Sequence, residues 1–493
     1  MKYLTTTKMT TIYFSIFLLL FSKVTFGQQK GSPKSKPNVI VFIADDVSVK
    51  DLGSYDNSFV QTPNIDFLAR NGVQFNNAIL TTSSCSPSRI SIMTGRYPHN
   101  TGAAELHTEP KKNFKSIASE LNDKGYYTGS AGKWHMGELI KGGFEKIHED
   151  ADENGDGGED MWIPSLRERD KNKPFFFWFA SYDAHRVWGE NRFSDTHAID
   201  EIEVPTTLVD NDSTRIDLVN YYDEIKRFDF HIGEVIEELK RQEIFENTVI
   251  IVMADNGRPF PRDKTRMYDS GMKTPLIVHW PKGIENAEES NSLVSSVDIA
   301  PTILDICNVN PPESFQGKSF KIVFTNPEIK FRNYAFAEHN WHDHEAHERM
   351  IRTKEYIYIL NFRPDLPNQG PADALNSASF RSLLKEKNEG NLTDVQSDIF
   401  LAPRPTEELF YVKNDPVQTQ NLISNSNYTD IKVNLKKVLL EWMEETCDNV
   451  PEKLTPDWYT RDTGKKLKDN FGIRGELPGE EPNAENCNAK GAF

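Results

Sequence analysis

Four cysteines in 493 residues are too few to staple a fold, which excludes a disulfide scaffold and puts stability on a buried core. Cys307 sits in the apolar run IAPTILDIC and reads as a core residue, whereas Cys447 and Cys487 could pair in an oxidising compartment. Long hydrophobic runs are also missing. No stretch approaches the roughly 18 continuous apolar residues that a membrane helix needs, so no membrane span is expected. The apolar stretch from Ile12 to Phe21 is too short, follows Lys2 and Lys8, and precedes Thr25-Phe26-Gly27; residues 1–27 read as a secretory signal peptide. With no cysteine beside Gly27, a lipid anchor is not expected. Positive charge is in deficit, with 57 Lys and Arg against 74 Asp and Glu. Loss of residues 1–27 takes three lysines and no acid, moving the formal charge from −17 to −20. A field of that sign repels nucleic acid and anionic membranes, which excludes both as partners, and a periplasmic or secreted protein is expected. No internal repeat is evident.

What is present is an alternation of elements. After a polar linker, residues 28–36, near-continuous apolar runs occur at NVIVFIADD (Asn38 to Asp46), PFFFWFASYDAH (Pro174 to His185), NTVIIVMADNG (Asn247 to Gly257) and TPLIVHWP (Thr274 to Pro281). Continuous apolarity suits strands buried on both faces of a parallel sheet. Between them lie helical patterns: SIASELNDKG, with Ser116 as N-cap and Gly125 as stop, and a stripe of Ile225, Phe228, Ile232, Ile236 and Leu239. The expectation for residues 37–325 is a doubly wound, mostly parallel α/β domain. Shorter strand candidates, NYAFAEHNW and MIRTKEYIYIL, and a helix from Ile431 to Glu445 predict a smaller antiparallel α+β subdomain over 326–464, followed by an irregular tail, 465–493.

The segment Cys85 to Arg96, CSPSRISIMTGR, carries the chemistry. A thiol stands where a loop turns into a helix, with Pro87 suited to a first helical position and Thr94-Gly95-Arg96 closing the turn. Free N–H groups and partial positive charge at a helix N-terminus favour an anion, and Arg89 is close enough for charge-assisted contact. The polar flanks Thr81 to Ser84 argue against a buried structural thiol. In open α/β sheets ligands bind beyond the carboxyl ends of the strands, where this chain places Asp45-Asp46, His185 and Asp255-Asn256. Three carboxylates and an amide oxygen make a hard ligand set that suits Ca2+, or Mg2+, rather than zinc.

On these residues the chain resembles the sulfatase family, whose signature is Cys or Ser, any residue, Pro-Ser-Arg, three residues, an aliphatic and Thr-Gly-Arg; every position matches, with Met93 as the aliphatic. The resemblance implies conversion of Cys85 to formylglycine by a formylglycine-generating maturation enzyme. It also implies a divalent cation held by Asp45, Asp46, Asp255, Asn256 and the modified Cys85. GKWHMG, Gly132 to Gly137, matches a second family motif in which Lys133 contacts sulfate and His135 serves regeneration of the aldehyde. His185 corresponds to the histidine that hydrogen-bonds the ester oxygen. Lys264, in DKTRMYDSGMKTPLIVHWP, falls on a sulfate-binding lysine, although Asp269-Ser270-Gly271 replaces the family's Glu-Gly-Gly; Arg258, Arg262 and Lys273 stay open as alternatives.

Two further segments are rich in acids or histidines. DENGDG, Asp152 to Gly157, begins like a calcium loop but has Ile163 at the twelfth position in place of Glu, which leaves an acidic loop. HNWHDHEAHER, His339 to Arg349, lies in the half expected to face the cleft; His344, with Arg352 just beyond, is a candidate substrate contact, and a solvated loop is the competing reading. The resemblance points to a sulfuric ester hydrolase of polysaccharide degradation acting on a sulfated poly- or oligosaccharide, of the ulvan or glycosaminoglycan type. A phosphoester or phosphonate monoester hydrolase is the competing enzyme, and an inactive glycan-binding protein the competing class.

Overall fold

The computed structural model describes residues 36–493 apart from 190, 191 and 195. The signal-peptide expectation and all but the last residue of the linker therefore lie outside the described residues. Residues 36–493 form one compact unit. Eight strands make the central sheet: β1 (Asn38–Ala44), β2 (Val73–Ile79), β3 (Tyr127–Gly132), β4 (Lys146–His148), β5 (Phe175–Ala180), β6 (Thr248–Ala254), β7 (Leu276–His279) and β8 (Glu288–Ser295). Their spatial order is β4-β3-β5-β1-β6-β7-β2-β8. All neighbours run parallel except β7, which is antiparallel to both β6 and β2. TPLIVHWP was expected as another parallel strand. Its direction is reversed because the chain returns from β6 without a crossover helix, and an apolar run buried on both faces carries no sign of its direction.

Alternation along β1 explains why the sheet is buried twice. Val39, Val41 and Ile43 point into one core cluster, while Ile40 and Phe42 point into the other. The long helix Asp212–Arg241 covers the second face with the expected stripe: Ile225, Phe228, Ile232, Ile236 and Leu239 are all buried. Helix Ile117–Asn122 starts at the expected N-cap, where Ser116 Oγ accepts the Ser119 N–H at 3.1 Å.

A second sheet, ordered β12-β11-β10-β9, is antiparallel throughout: β9 (Ala335–His342), β10 (His344–Arg352), β11 (Tyr356–Asn361) and β12 (Glu407–Tyr411). Its Ala337, Met350 and Ile359 join the same cluster as β1, and helix Thr429–Glu445 packs Leu435, Leu439 and Trp442 on its other side. HNWHDHEAHER is thus the β9–β10 hairpin rather than a solvated loop, and its four histidines are buried. The segment from residue 465 onwards has little regular structure but is packed. Arg96 donates to Asn488 Oδ1 (2.7 Å) and to the Cys487 carbonyl (2.8 Å), and Gln316 donates to the Ala489 carbonyl (2.8 Å). Cys447 and Cys487 are both free thiols in this structure.

Candidate active site

Strand order places the site. β1 lies between β5 and β6, so their carboxyl ends deliver Asp45-Asp46, the 181–185 loop and Asp255-Asn256 to one point. Backbone bonds tie the three loops together: Asp45 N–H donates to the Asp183 carbonyl (2.7 Å) and Asp255 N–H to the Ala44 carbonyl (3.2 Å). Cys85 is the first residue of helix Cys85–Thr94, and Gly95 ends that helix in the left-handed conformation, φ 62°. Pro87 therefore occupies the third helical position, not the first; its missing N–H is still one of the first-turn donors that lack a helical partner. Ser84 Oγ, just before the helix, bonds His342 Nδ1 at 2.8 Å and ties the signature to the second sheet.

Around the thiol the charges alternate. Cys85 Sγ lies 3.8 Å from Asp46 Oδ1, and Asn256 Nδ2 donates to the same oxygen at 2.5 Å. Lys133 Nζ contacts Asp45 Oδ2, and Lys264 Nζ contacts Asp46 Oδ2 at 2.7 Å. Arg89 is fully buried behind this layer; its Nε donates to Asp255 Oδ2 (2.7 Å) and its Nη1 to the Lys133 carbonyl (3.0 Å). Arg89 thus braces the acids and the lysine-bearing loop. Burial opposes the charge of both lysines, yet Asp46 and neighbouring acids hold the Lys264 ammonium well above its usual value, and Asp45 raises that of Lys133. Burial pushes the Cys85 thiol well up, so the unmodified residue is a poor nucleophile at neutral pH.

The acids fit a cation. Asp45 Oδ1 and Asn256 Oδ1 are buried without a hydrogen bond, and Asp45, Asp46 and Cys85 present ligand atoms within one coordination sphere. An oxygen-rich set of this kind could hold a hard divalent ion.

A cavity of about 680 Å³ opens in front of Cys85, lined by Lys133, His135, His185, Trp134 and Tyr182 among others. His135 Nε2 and His107 Nδ1 lie 2.9 Å apart. Burial and the nearby Lys133 keep His135 well below its usual value, so it is a neutral imidazole at neutral pH. His185 Nε2 is 3.9 Å from Asp46 and 3.5 Å from Asp373 Oδ2. The structure thus brings Cys85, Asp45, Asp46, Asp255, Asn256, Arg89, Lys133, His135, His185 and Lys264 together. The alternatives to Lys264, which contacts Asp46, lie elsewhere: Arg258 pairs with Asp263 and Asp51, Arg262 pairs with Asp398, and both line a different cavity together with Lys273.

His344 and Arg352 do not reach the cavity. The His344 ring fills a small enclosed space with His339, Gln369 and Arg461, and Arg352 is bound to Asp269 at 3.1 Å. Their neighbours His342 and Asp343 line the cavity instead, because the β9–β10 turn, not the strand beyond it, projects towards Cys85. His107, Asp373, Asn376 and Tyr459 also line it. None of these four has a sequence signal, since each comes from a loop or short helix remote from the motifs.

A doubly wound sheet whose strand ends gather paired carboxylates, one buried and one cavity-lining lysine and a helix-head thiol defines an ester hydrolase built for a tetrahedral oxyanion. Residues 37–309 match the family model described as sulfatase, and residues 260–367 match that of N-sulphoglucosamine sulphohydrolase, C-terminal. An ulvan-active sulfatase of Formosa agariphila is 30% identical over 87% of this chain and 84% of its own length. Human N-sulphoglucosamine sulphohydrolase is 27% identical over 87% and 93%. Among solved structures, one in complex with its substrate D-glucosamine-2-N,6-O-disulfate has a TM-score of 0.64 at 21% identity, covering 83% of this chain and 98% of that one. A phosphonate monoester hydrolase of Agrobacterium radiobacter has the same TM-score at 16% identity, covering 82% and 95%. This chain belongs to the sulfatase family.

Proposed function

We propose that the protein is an exported sulfatase that hydrolyses a sulfate ester on a carbohydrate, working with Cys85 as formylglycine and with Ca2+ or Mg2+ held by Asp45, Asp46, Asp255, Asn256 and the modified residue. The observation that carries this reading is the thiol at a helix head, 3.8 Å from Asp46, within the electrostatic reach of Lys133 and Lys264 and facing an open cavity. Once in place, the hydrated aldehyde supplies an oxygen nucleophile for sulfur, and the cation supplies positive charge for the sulfuryl oxygens. Lys133 and Lys264 bind and neutralise those oxygens, and their raised proton affinity keeps both charged. His185 Nε2 carries the proton for the leaving alcohol oxygen. His135, neutral and beside His107, accepts the proton whose removal frees sulfate. Trp134 and Leu106 supply apolar lining beside these polar groups.

The Formosa relative and the human N-sulphoglucosamine relative support a sulfated glycan as substrate, whether algal or of the glycosaminoglycan type. The test is sulfate release from 4-nitrophenyl sulfate and from sulfated saccharides, with phosphate and phosphonate esters as controls. Turnover of the phosphorus esters alone would overturn the proposal.

A further inference from the structure

The floor of the cavity is cationic, but one side of its rim is acidic. Asp373 stands on the short helix Ala372–Leu375, whose Ala372 N–H donates to Asp343 Oδ2 at 3.0 Å. Asp343 is the turn residue between β9 and β10, held at φ 63°, a left-handed conformation that a non-glycine side chain adopts only at a cost. The hairpin therefore fixes where Asp373 stands. Its Oδ2 lies 3.5 Å from His185 Nε2 and 3.7 Å from Lys264 Nζ, and its side chain is 21% exposed where that of Lys264 is 0%. It is thus the exposed partner beside the groups that hold sulfate and leaving oxygen. A carboxylate there cannot accept a sulfuryl oxygen, because both are anionic acceptors. What it can accept is an O–H or N–H donor on the carbon skeleton next to the sulfated position. Tyr459 and Asn376 line the same cavity and offer a ring face and an amide to one sugar unit.

Resting on the sulfatase reading of this site, we propose that Asp373, positioned by Asp343, selects the sugar: it accepts hydrogen bonds from groups beside the sulfated carbon and rejects a sugar that bears a carboxylate. The substrate class is then a sulfated hexose or hexosamine rather than a sulfated hexuronate. Rejection follows from placing a second anion against Asp373 and Asp343 in a partly desolvated site, the repulsive half of specificity.

The experiment uses the matured full chain on 4-nitrophenyl sulfate and on matched pairs of monosaccharide sulfates, each of the 2-, 3- and 4-O-sulfates presented on a hexose and on the corresponding hexuronate. The wild type is expected to hydrolyse the hexose member at least about ten-fold faster than its hexuronate partner. In Asp373→Asn, the ratio of kcat/KM for the best sugar sulfate to that for 4-nitrophenyl sulfate is expected to fall about a hundred-fold, since a charge-assisted acceptor is lost only to the sugar. An unchanged ratio, with both substrates slowed together, would make Asp373 part of the sulfate-cleaving machinery and overturn the inference. Equal hydrolysis of hexose and hexuronate by the wild type, which needs no variant to fold, would overturn it as well. Wild type inactive on every sulfate ester, aryl and sugar alike, would instead overturn the sulfatase reading, and this inference with it.

Discussion

Arg89 shows how much of the site is held from behind. It is fully buried, it reaches Asp255, Asp45 and the Lys133 carbonyl, and it touches no part of the open cavity. Truncation to alanine would leave Asp255 as an uncompensated buried carboxylate, so Arg89→Ala is expected to lose about 3–5 kcal/mol of stability, read as a lower denaturation midpoint, as well as activity. Lys133→Ala acts differently. Its ammonium is the pocket-lining cation, so loss of charge stabilisation is expected to lower kcat by about 10²–10³-fold. Melting temperature checks that the change is local, and a variant with wild-type kcat would remove Lys133 from the sulfate contacts.

At the scale of elements, the positions of β3 and β9 carry the clearest predictions. Gly132 closes β3 at φ 95°, and a Cβ there would fall inside the radius of the Ala180 carbonyl oxygen. Gly132→Ala is expected to cost at least about 1–3 kcal/mol and to lower activity by shifting Lys133 and His135, which follow directly. Glu338 on β9 accepts from the His99 backbone (3.1 Å) and Nδ1 (2.8 Å), joining the second sheet to the segment after the signature. Burial alone would raise its pKa, but the charge and hydrogen bonding of His99 and Arg349 bring it down to about 2 from 4.5. A depressed carboxylate stabilises above its unfolded value and loses that contribution as pH falls through the folded one. Acid titration of the wild type is therefore expected to show a stability loss between about pH 4.5 and 2 that Glu338→Gln lacks.

The elements also show what a sequence can carry. The ends of β1 and β6 were legible because Asp45-Asp46 and Asp255-Asn256 interrupt runs of apolar residues that only a buried strand explains. Cys85 was legible as a candidate because its neighbours are polar where a core thiol would have apolar ones. The direction of β7 was not, because burial on both faces erases alternation. Asp373, His107 and Tyr459 were not, because the convergence of segments far apart in the chain is a tertiary fact with no local period. His344 failed for the same reason: the turn at Asp343 decides which residue of the hairpin meets the cavity.

Taken whole, the molecule closes on itself around the signature helix. The tail residues 485–490 satisfy Arg96, Tyr97 and Gln316, while Arg474 donates to Glu105 and lies 4.3 Å from the ring centres of Trp341 and Trp458. Deletion of residues 484–493 is therefore expected to unpair the buried Arg96 guanidinium and lower both melting temperature and activity, although no tail residue after Tyr459 lines the cavity. Removal of divalent ions by a chelator is expected to lower melting temperature and turnover together. Readdition of Ca2+ or Mg2+ should restore both, because Asp45, Asp46 and Asp255 repel one another without a cation.

The most direct test of the central claim follows Cys85 itself. Preparations with different extents of maturation are digested, the fraction of the Cys85 peptide carrying formylglycine is read by mass spectrometry, and sulfate released from 4-nitrophenyl sulfate is measured per mole of protein. Turnover is expected to rise in proportion to that fraction and to vanish with it. Full turnover from a preparation in which Cys85 is an intact thiol would contradict the account.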